Sequence, residues 1–135
     1  MPHLIFETTP QLSRAIDFPA LMRTIHEQLV TRGYAVLVDL KSRLHAAEHY
    51  LIGDDLTAQF LVIRLILTKS RDKQTQQAMG ELVHNIARDV IEKIGLSVGW
   101  QCSVLVIDSS RAPYLKTVWT GVDDPSGSAG PVQPV

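Results

Sequence analysis

The chain has 135 residues, which suits one domain with a moderate core. With 45% hydrophobic and 20% charged residues it has the balance of an ordinary soluble globular protein. A net charge of −1 excludes a basic footprint for nucleic acid or an anionic membrane surface, and the single cysteine, Cys102, excludes an internal disulfide and suits a reducing cytosol.

The start Met-Pro-His reaches Glu7 without a basic segment and apolar run, so no signal peptide is expected. Residues 2–7 read as a short strand. Asp17-Phe18-Pro19 then offers an N-cap and an early helical proline. Leu21, Met22, Ile25 and Leu29 follow at helical spacing, and Gly33 stands where a C-terminal cap would. Residues 35–47 alternate, with Val36, Val38, Leu40 and Leu44 on one face and Asp39, Lys41, Arg43 and His45 on the other, which predicts a strand. Gly53-Asp54-Asp55 marks a turn.

A second unit repeats the plan. Residues 59–68 form an apolar strand; its run from Phe60 to Leu67, broken by Arg64, is too short to cross a bilayer. Ser70 is positioned to cap a helix from about Arg71 to Ile94, ended by Gly95. Its apolar stripe is Met79, Leu82, Val83, Ile86, Val90 and Ile94, with Glu81, Arg88, Asp89 and Glu92 turned to water. Residues 101–108 form another strand. The Gly-, Pro- and Ser-rich tail, 119–135, has little to bury and is expected to be unordered, leaving 2–118 as the domain.

Two successive β-α-β units with right-handed crossovers give an α+β fold, a four-stranded mixed sheet with both helices on one face. If Leu61, Ile63, Leu65 and Leu67 meet the helices, Phe60, Val62 and Ile66 share the bare face with Arg64. A sheet apolar on both sides but covered on one predicts burial by oligomerisation.

The sharpest chemical feature is Pro2. Proline in second position permits removal of the initiator methionine, which bares a secondary amine. An α-amino group titrates near neutrality, and desolvation or nearby cations disfavour its ammonium form further, giving a general base poised at working pH. By itself Met-Pro is a common processing signal. Lys41 and Arg43, two apart in a predicted strand, share a face with His45 and could hold substrate carboxylates; Arg71, near a helix start, could add an anion contact. The bland alternative is a solvated strand face. His45-Ala46-Ala47-Glu48-His49 matches the zinc-protease pattern H-x-x-E-H, but needs a helix where the alternation predicts a strand, so no metal site is expected. His26 and His84 lie on helices without a paired acid at a telling offset, and Cys102 reads as core.

Pro2-His3-Leu4-Ile5-Phe6-Glu7, Asp17-Phe18-Pro19-Ala20-Leu21 and Lys41-Ser42-Arg43-Leu44-His45, in this order and spacing, resemble the 5-carboxymethyl-2-hydroxymuconate delta-isomerase family of the tautomerase superfamily. The similarity runs from Pro2 to about Leu115. It implies β-α-β-β-α-β subunits closed into a homotrimer in the cytoplasm. It further implies a cofactor-free isomerase of aromatic-acid breakdown, converting an anionic di- or tricarboxylate dienol to its conjugated 2-oxo isomer. By the same resemblance Pro2 transfers the proton, Lys41 stands for a family arginine that polarises the substrate, and Arg43 and Arg71 bind it. Lysine at position 41 is a point charge in place of a bidentate fork, which loosens carboxylate geometry. The alternatives are another Pro2-dependent activity, hydration or dehalogenation of an unsaturated acid, or a non-catalytic trimeric binding module.

Overall fold

The computed structural model describes residues 1–121 and the backbone of 132–134. Strand β1 (His3–Thr8) opens the chain, followed by a short helix α1 (Pro10–Ala15) and α2 (Phe18–Thr31). Strands β2 (Lys41–Ala46) and β3 (Gln59–Leu67) come next, then the long helix α3 (Lys73–Ile94), β4 (Trp100–Asp108), and the short β5 (Leu115–Thr117) and β6 (Val132–Pro134). The main sheet has the order β2-β1-β3-β4. β1 runs parallel to β2 and antiparallel to β3, and β3 runs parallel to β4, so the sheet is mixed and β1 lies inside it. The small β5–β6 pair is antiparallel. The expectation of an unordered tail otherwise falls on residues outside those described.

Alternation assigns the faces. Leu4 and Phe6 of β1 and Leu61, Ile63, Leu65 and Leu67 of β3 are sealed against Leu21, Ile25 and Leu29 of α2 and Met79, Val83, Ala87 and Ile91 of α3. Ile5, Val62 and Ile66 point away from the helices, as does Leu105, which is 57% exposed. The predicted two-sided apolar sheet with one bare face is therefore present. On that face Arg64 meets Glu7 at 2.9 Å, and its Nε is shut off from solvent without a hydrogen-bond partner among the described residues.

Three local expectations are corrected. Residues 35–40 are not strand: Leu37–Asp39 forms a 3-10 turn, and Val36 and Val38 are 61% and 84% exposed. The parallel register begins only at His3 opposite Lys41, so nothing upstream offers the alternating stretch a partner. The cap of α3 is Asp72, not Ser70, because its carboxylate accepts from the Thr75 N–H at 2.7 Å. The unforeseen α1 has no local side-chain cap; the side-chain Oε1 of Gln59, from the start of β3, accepts instead from the N–H groups of Gln11 and Leu12 and from the Thr9 hydroxyl. Elsewhere the boundaries match: Asp17 caps α2 through the Ala20 N–H, and Gly95 ends α3 in the left-handed region at φ 71°. No helix among the described residues is long and apolar enough to cross a membrane.

Candidate active site

Pro2 is buried at the head of β1, where several connections converge. Gly33, at φ 76°, turns the chain out of α2, and the Gly33 and Tyr34 N–H groups donate to the carbonyls of Val30 and Leu29. That turn lays Tyr34, Ala35 and Val36 beside the chain head. From the other side β3 ends at Leu67, whose carbonyl accepts from the Ser109 N–H and hydroxyl. The connection from β3 to α3 then carries Lys69 and Arg71 past the same point. Met1, Pro2, Gly33, Tyr34, Ala35, Val36, Asp39, Lys69 and Arg71 enclose a cavity of about 190 Å³.

The geometry is tied down by short contacts. The Met1 amine donates to the Thr68 hydroxyl at 2.5 Å, and that hydroxyl donates to the Met1 carbonyl at 3.0 Å. Arg71 Nη2 donates to the Tyr34 carbonyl at 2.5 Å, which fixes the guanidinium at the cavity wall. Lys116 of β5 stands behind the cavity wall, 3.4 Å from the carboxylate of Asp39, which is part of that wall. Among the described residues no carboxylate forms an ion pair with Lys69 or Arg71, although Asp39 shares the cavity wall with them.

Burial lowers the Met1 amine below its ordinary range; Lys69 lowers it further, Asp39 opposes, and Arg71 and Lys116 add to the depression. His3 is lowered too, first by burial and then by Lys41 and Arg43. Its Nε2 lies 3.0 Å from the Tyr114 hydroxyl. A larger cavity of about 490 Å³ lies against α2, lined by Pro19, Met22, Arg23, His26, Glu27 and Leu37, but lacks a comparable convergence of cations.

Of the four residues singled out from the sequence, the fold brings together Pro2 and Arg71. Lys41 and Arg43 are exposed and share the open sheet face, because Ser42 between them and Leu44 after them turn to the helices: Ser42 Oγ lies 2.6 Å from His26 Nε2. Lys41 is close to Pro2 along the backbone, its N–H on the Pro2 carbonyl at 3.4 Å, yet its ammonium lies 3.4 Å from the Asp39 carbonyl and outside the cavity wall. Sequence reading missed Lys69, Asp39 and Lys116. A signal for the first was present: Lys-Ser-Arg occurs twice, at 41–43 and 69–71. The H-x-x-E-H segment is strand and bend, and among the described residues no three His, Cys, Asp or Glu side chains converge as a metal site would require. Burial pushes the Cys102 thiol up to about 11, in keeping with its place against the core and not with a nucleophile.

Residues 2–116 match the family model of 5-carboxymethyl-2-hydroxymuconate isomerase. No protein of curated function is matched. Among solved structures the fold is similar to a 5-carboxymethyl-2-hydroxymuconate isomerase from Deinococcus radiodurans R1, with TM-score 0.76 at 19% identity over 85% of this chain and 87% of that one. It is likewise similar to a 5-carboxymethyl-2-hydroxymuconate delta-isomerase, with TM-score 0.77 at 19% identity over 87% and 89% of the two chains. More distantly it resembles a fused 4-OT symmetric trimer, with TM-score 0.57 at 14% identity over 94% of each. At these identities the structures establish a tautomerase-like fold. The family match, spanning most of the chain, establishes more: this protein belongs to the 5-carboxymethyl-2-hydroxymuconate isomerase family.

Proposed function

We propose that this isomerase converts a 2-hydroxymuconate-type dienol acid to its conjugated 2-oxo isomer by proton transfer through the amine of Pro2, exposed when Met1 is removed. The observation that carries the reading is the burial of Pro2 in a cavity lined by Lys69 and Arg71, where burial first and then these cations lower the basicity of the adjoining Met1 amine. A neutral secondary amine takes the proton from the 2-hydroxyl. The resulting dienolate has its charge spread over oxygen and carbon, where Arg71 and Lys69 stabilise it. The ammonium then returns the proton to carbon, the double bond moves into conjugation with the new carbonyl, and the amine is regenerated. Atoms and electrons balance without oxidant or reductant, so the reaction calls on no cofactor.

The working form is a homotrimer. The face away from the helices carries Ile5, Val62, Ile66 and Leu105 around the Arg64–Glu7 pair, and the outer edges of β2 and β4 have no partner strand among the described residues. The similarity to a symmetric trimer of the same fold supports this reading. Lys41 and Arg43 stand on that bare face, and we place their contact with substrate carboxylates across the subunit boundary.

The test follows ketonisation of 2-hydroxymuconate by ultraviolet absorbance, with intact mass read on the same sample. Pro2→Ala, which leaves a primary amine, should lose roughly 10- to 100-fold in kcat/KM, less than the roughly 10²- to 10⁴-fold contribution of a positioned general base because the primary amine still accepts a proton. Equal rates for the two proteins, or full activity in a chain that keeps Met1, would reject the role of Pro2.

A further inference from the structure

The connection after β4 has an inverted burial pattern. Strand β5 exposes its leucine, Leu115 at 76%, and turns its lysine inward, with the Lys116 side chain only 14% exposed. Lysine is seldom this buried without a partner. Here the partner is Asp39, 3.4 Å away, whose side chain is itself 26% exposed. Tyr114, on the same side of the extended segment, anchors it through the 3.0 Å contact with His3. The polar side chains of this segment therefore face the chain head while its apolar one faces water.

The same ammonium lies 2.7 Å from the Met1 sulfur. Met1 is 7% exposed and forms part of the wall around Pro2 together with Asp39. Removal of Met1 takes away the group that Lys116 now touches and opens that space toward the Pro2 nitrogen. Resting on the isomerase reading above, we propose that Lys116 is a charge-setting residue of the active site: held by Asp39, its ammonium borders the Pro2 amine and the anion bound beside it.

The charged groups that act on the present chain head, the Met1 amine, are Lys69 and Arg71 from the β3–α3 connection, Lys116 from β5 and Asp39 from the turn before β2, and the titratable His3 with its neighbour Lys41 follows Pro2 in the chain. The cations disfavour an ammonium at the chain head and Asp39 favours one. Lys116 and Asp39 thus act on the base with opposite sign, although they are paired with each other.

The experiment uses the full chain labelled with 15N-proline, in which the terminal imino nitrogen is the only proline nitrogen that titrates. Its shift is followed against pH in wild type, Lys116→Met, Lys116→Arg and Asp39→Asn, alongside the pH profile of kcat/KM for 2-hydroxymuconate. Methionine keeps the length and apolar body of lysine without its charge. Lys116→Met is expected to move the amine titration, and with it the acid limb of the rate profile, upward by about half to one pH unit. Lys116→Arg should restore it, and Asp39→Asn should move it downward. Should Lys116→Met not fold, Lys116→Gln is titrated in its place. Titrations of the charge-removing Lys116 variant and wild type that superpose overturn the assignment of Lys116. A rate that does not depend on Pro2 overturns the isomerase reading and leaves the titration result standing. Retention of Met1 in the purified chain overturns both.

Discussion

Gly80 lies in the interior of α3, over β4, and a Cβ at this position would stand 2.8 Å from Val106 Cγ2. In an exposed helix, glycine to alanine is worth about 1 kcal/mol in favour of alanine. Here the added methyl enters occupied space, and overpacking costs roughly 1–3 kcal/mol. Val106 cannot easily yield, because it is β-branched with few rotamers and its strand is paired to β3 opposite Leu65. Gly80→Ala is therefore expected to destabilise the protein by about 0–2 kcal/mol, the reverse of the propensity effect. In a Val106→Ala background the obstructing methyl is gone, and the same change should stabilise by up to about 1 kcal/mol. Urea unfolding of the four proteins at one fixed concentration gives the coupling between the sites, which should be on the order of 1–3 kcal/mol. A Gly80→Ala chain more stable than wild type, or a coupling of zero, would refute this account of how closely α3 rides on the sheet. That closeness bears on function because the connection carrying Arg71 runs directly into the start of α3.

Two further outcomes follow from the site and its surroundings. Arg71→Met should raise KM for the dicarboxylate roughly 10- to 100-fold, the loss of charge-assisted hydrogen bonds worth about 1.5–3 kcal/mol. It should also move the acid limb of kcat/KM to higher pH, since a cation that depresses the amine is gone; Arg71→Lys should recover the limb, and an unchanged KM in Arg71→Met would remove Arg71 from substrate binding. His26 and His3 are both lowered in the folded state, chiefly by burial. The unfolded chain then binds more protons, so the stability they contribute is complete well above an ordinary histidine pKa of about 6.5 and falls as pH drops through it. The urea midpoint should decline between neutral and mildly acidic pH, before any carboxylate is protonated, and His26→Gln should flatten that slope; a midpoint that rises on acidification contradicts the assignment.

Much of the frame could be read from residue order because the helix-facing side of the sheet and the helices obey their own periods. In β3 the odd positions Leu61 to Leu67 are buried and the even ones are not, although nearly every residue there is apolar. In α3 the core line is Met79, Val83, Ala87 and Ile91, with the more prominent Leu82, Ile86, Val90 and Ile94 flanking it; a small Ala87 at the centre is invisible to a search for large apolar residues. Residues 36–40 misled for the opposite reason. Val36, Val38 and Leu40 have the strand period, but a period of two over five residues costs nothing to imitate when no partner strand is in reach. Helix α1 was hidden because its N-terminal donors are satisfied by Gln59, far away in the chain. Lys116 was hidden likewise, since its placement depends on β5 doubling back toward Asp39.

The two copies of Lys-Ser-Arg show why a motif alone could not assign the site. At 41–43 the tripeptide opens a strand, so backbone alternation sends both cations to the open face and its serine to His26 on α2. At 69–71 the same residues follow the end of β3 and lead into the Asp72 cap, and no sheet register governs them. There Arg71 is free to turn toward the α2 exit, where the Tyr34 carbonyl holds it beside Pro2, and Lys69 lines the same cavity. Identical side chains thus acquire different chemistry from the backbone state of three residues. The difference also bears on Lys41. Arg71 is locked by a directional contact and sits where a fork can be aimed, whereas Lys41 projects from an exposed strand face without a carboxylate partner among the described residues.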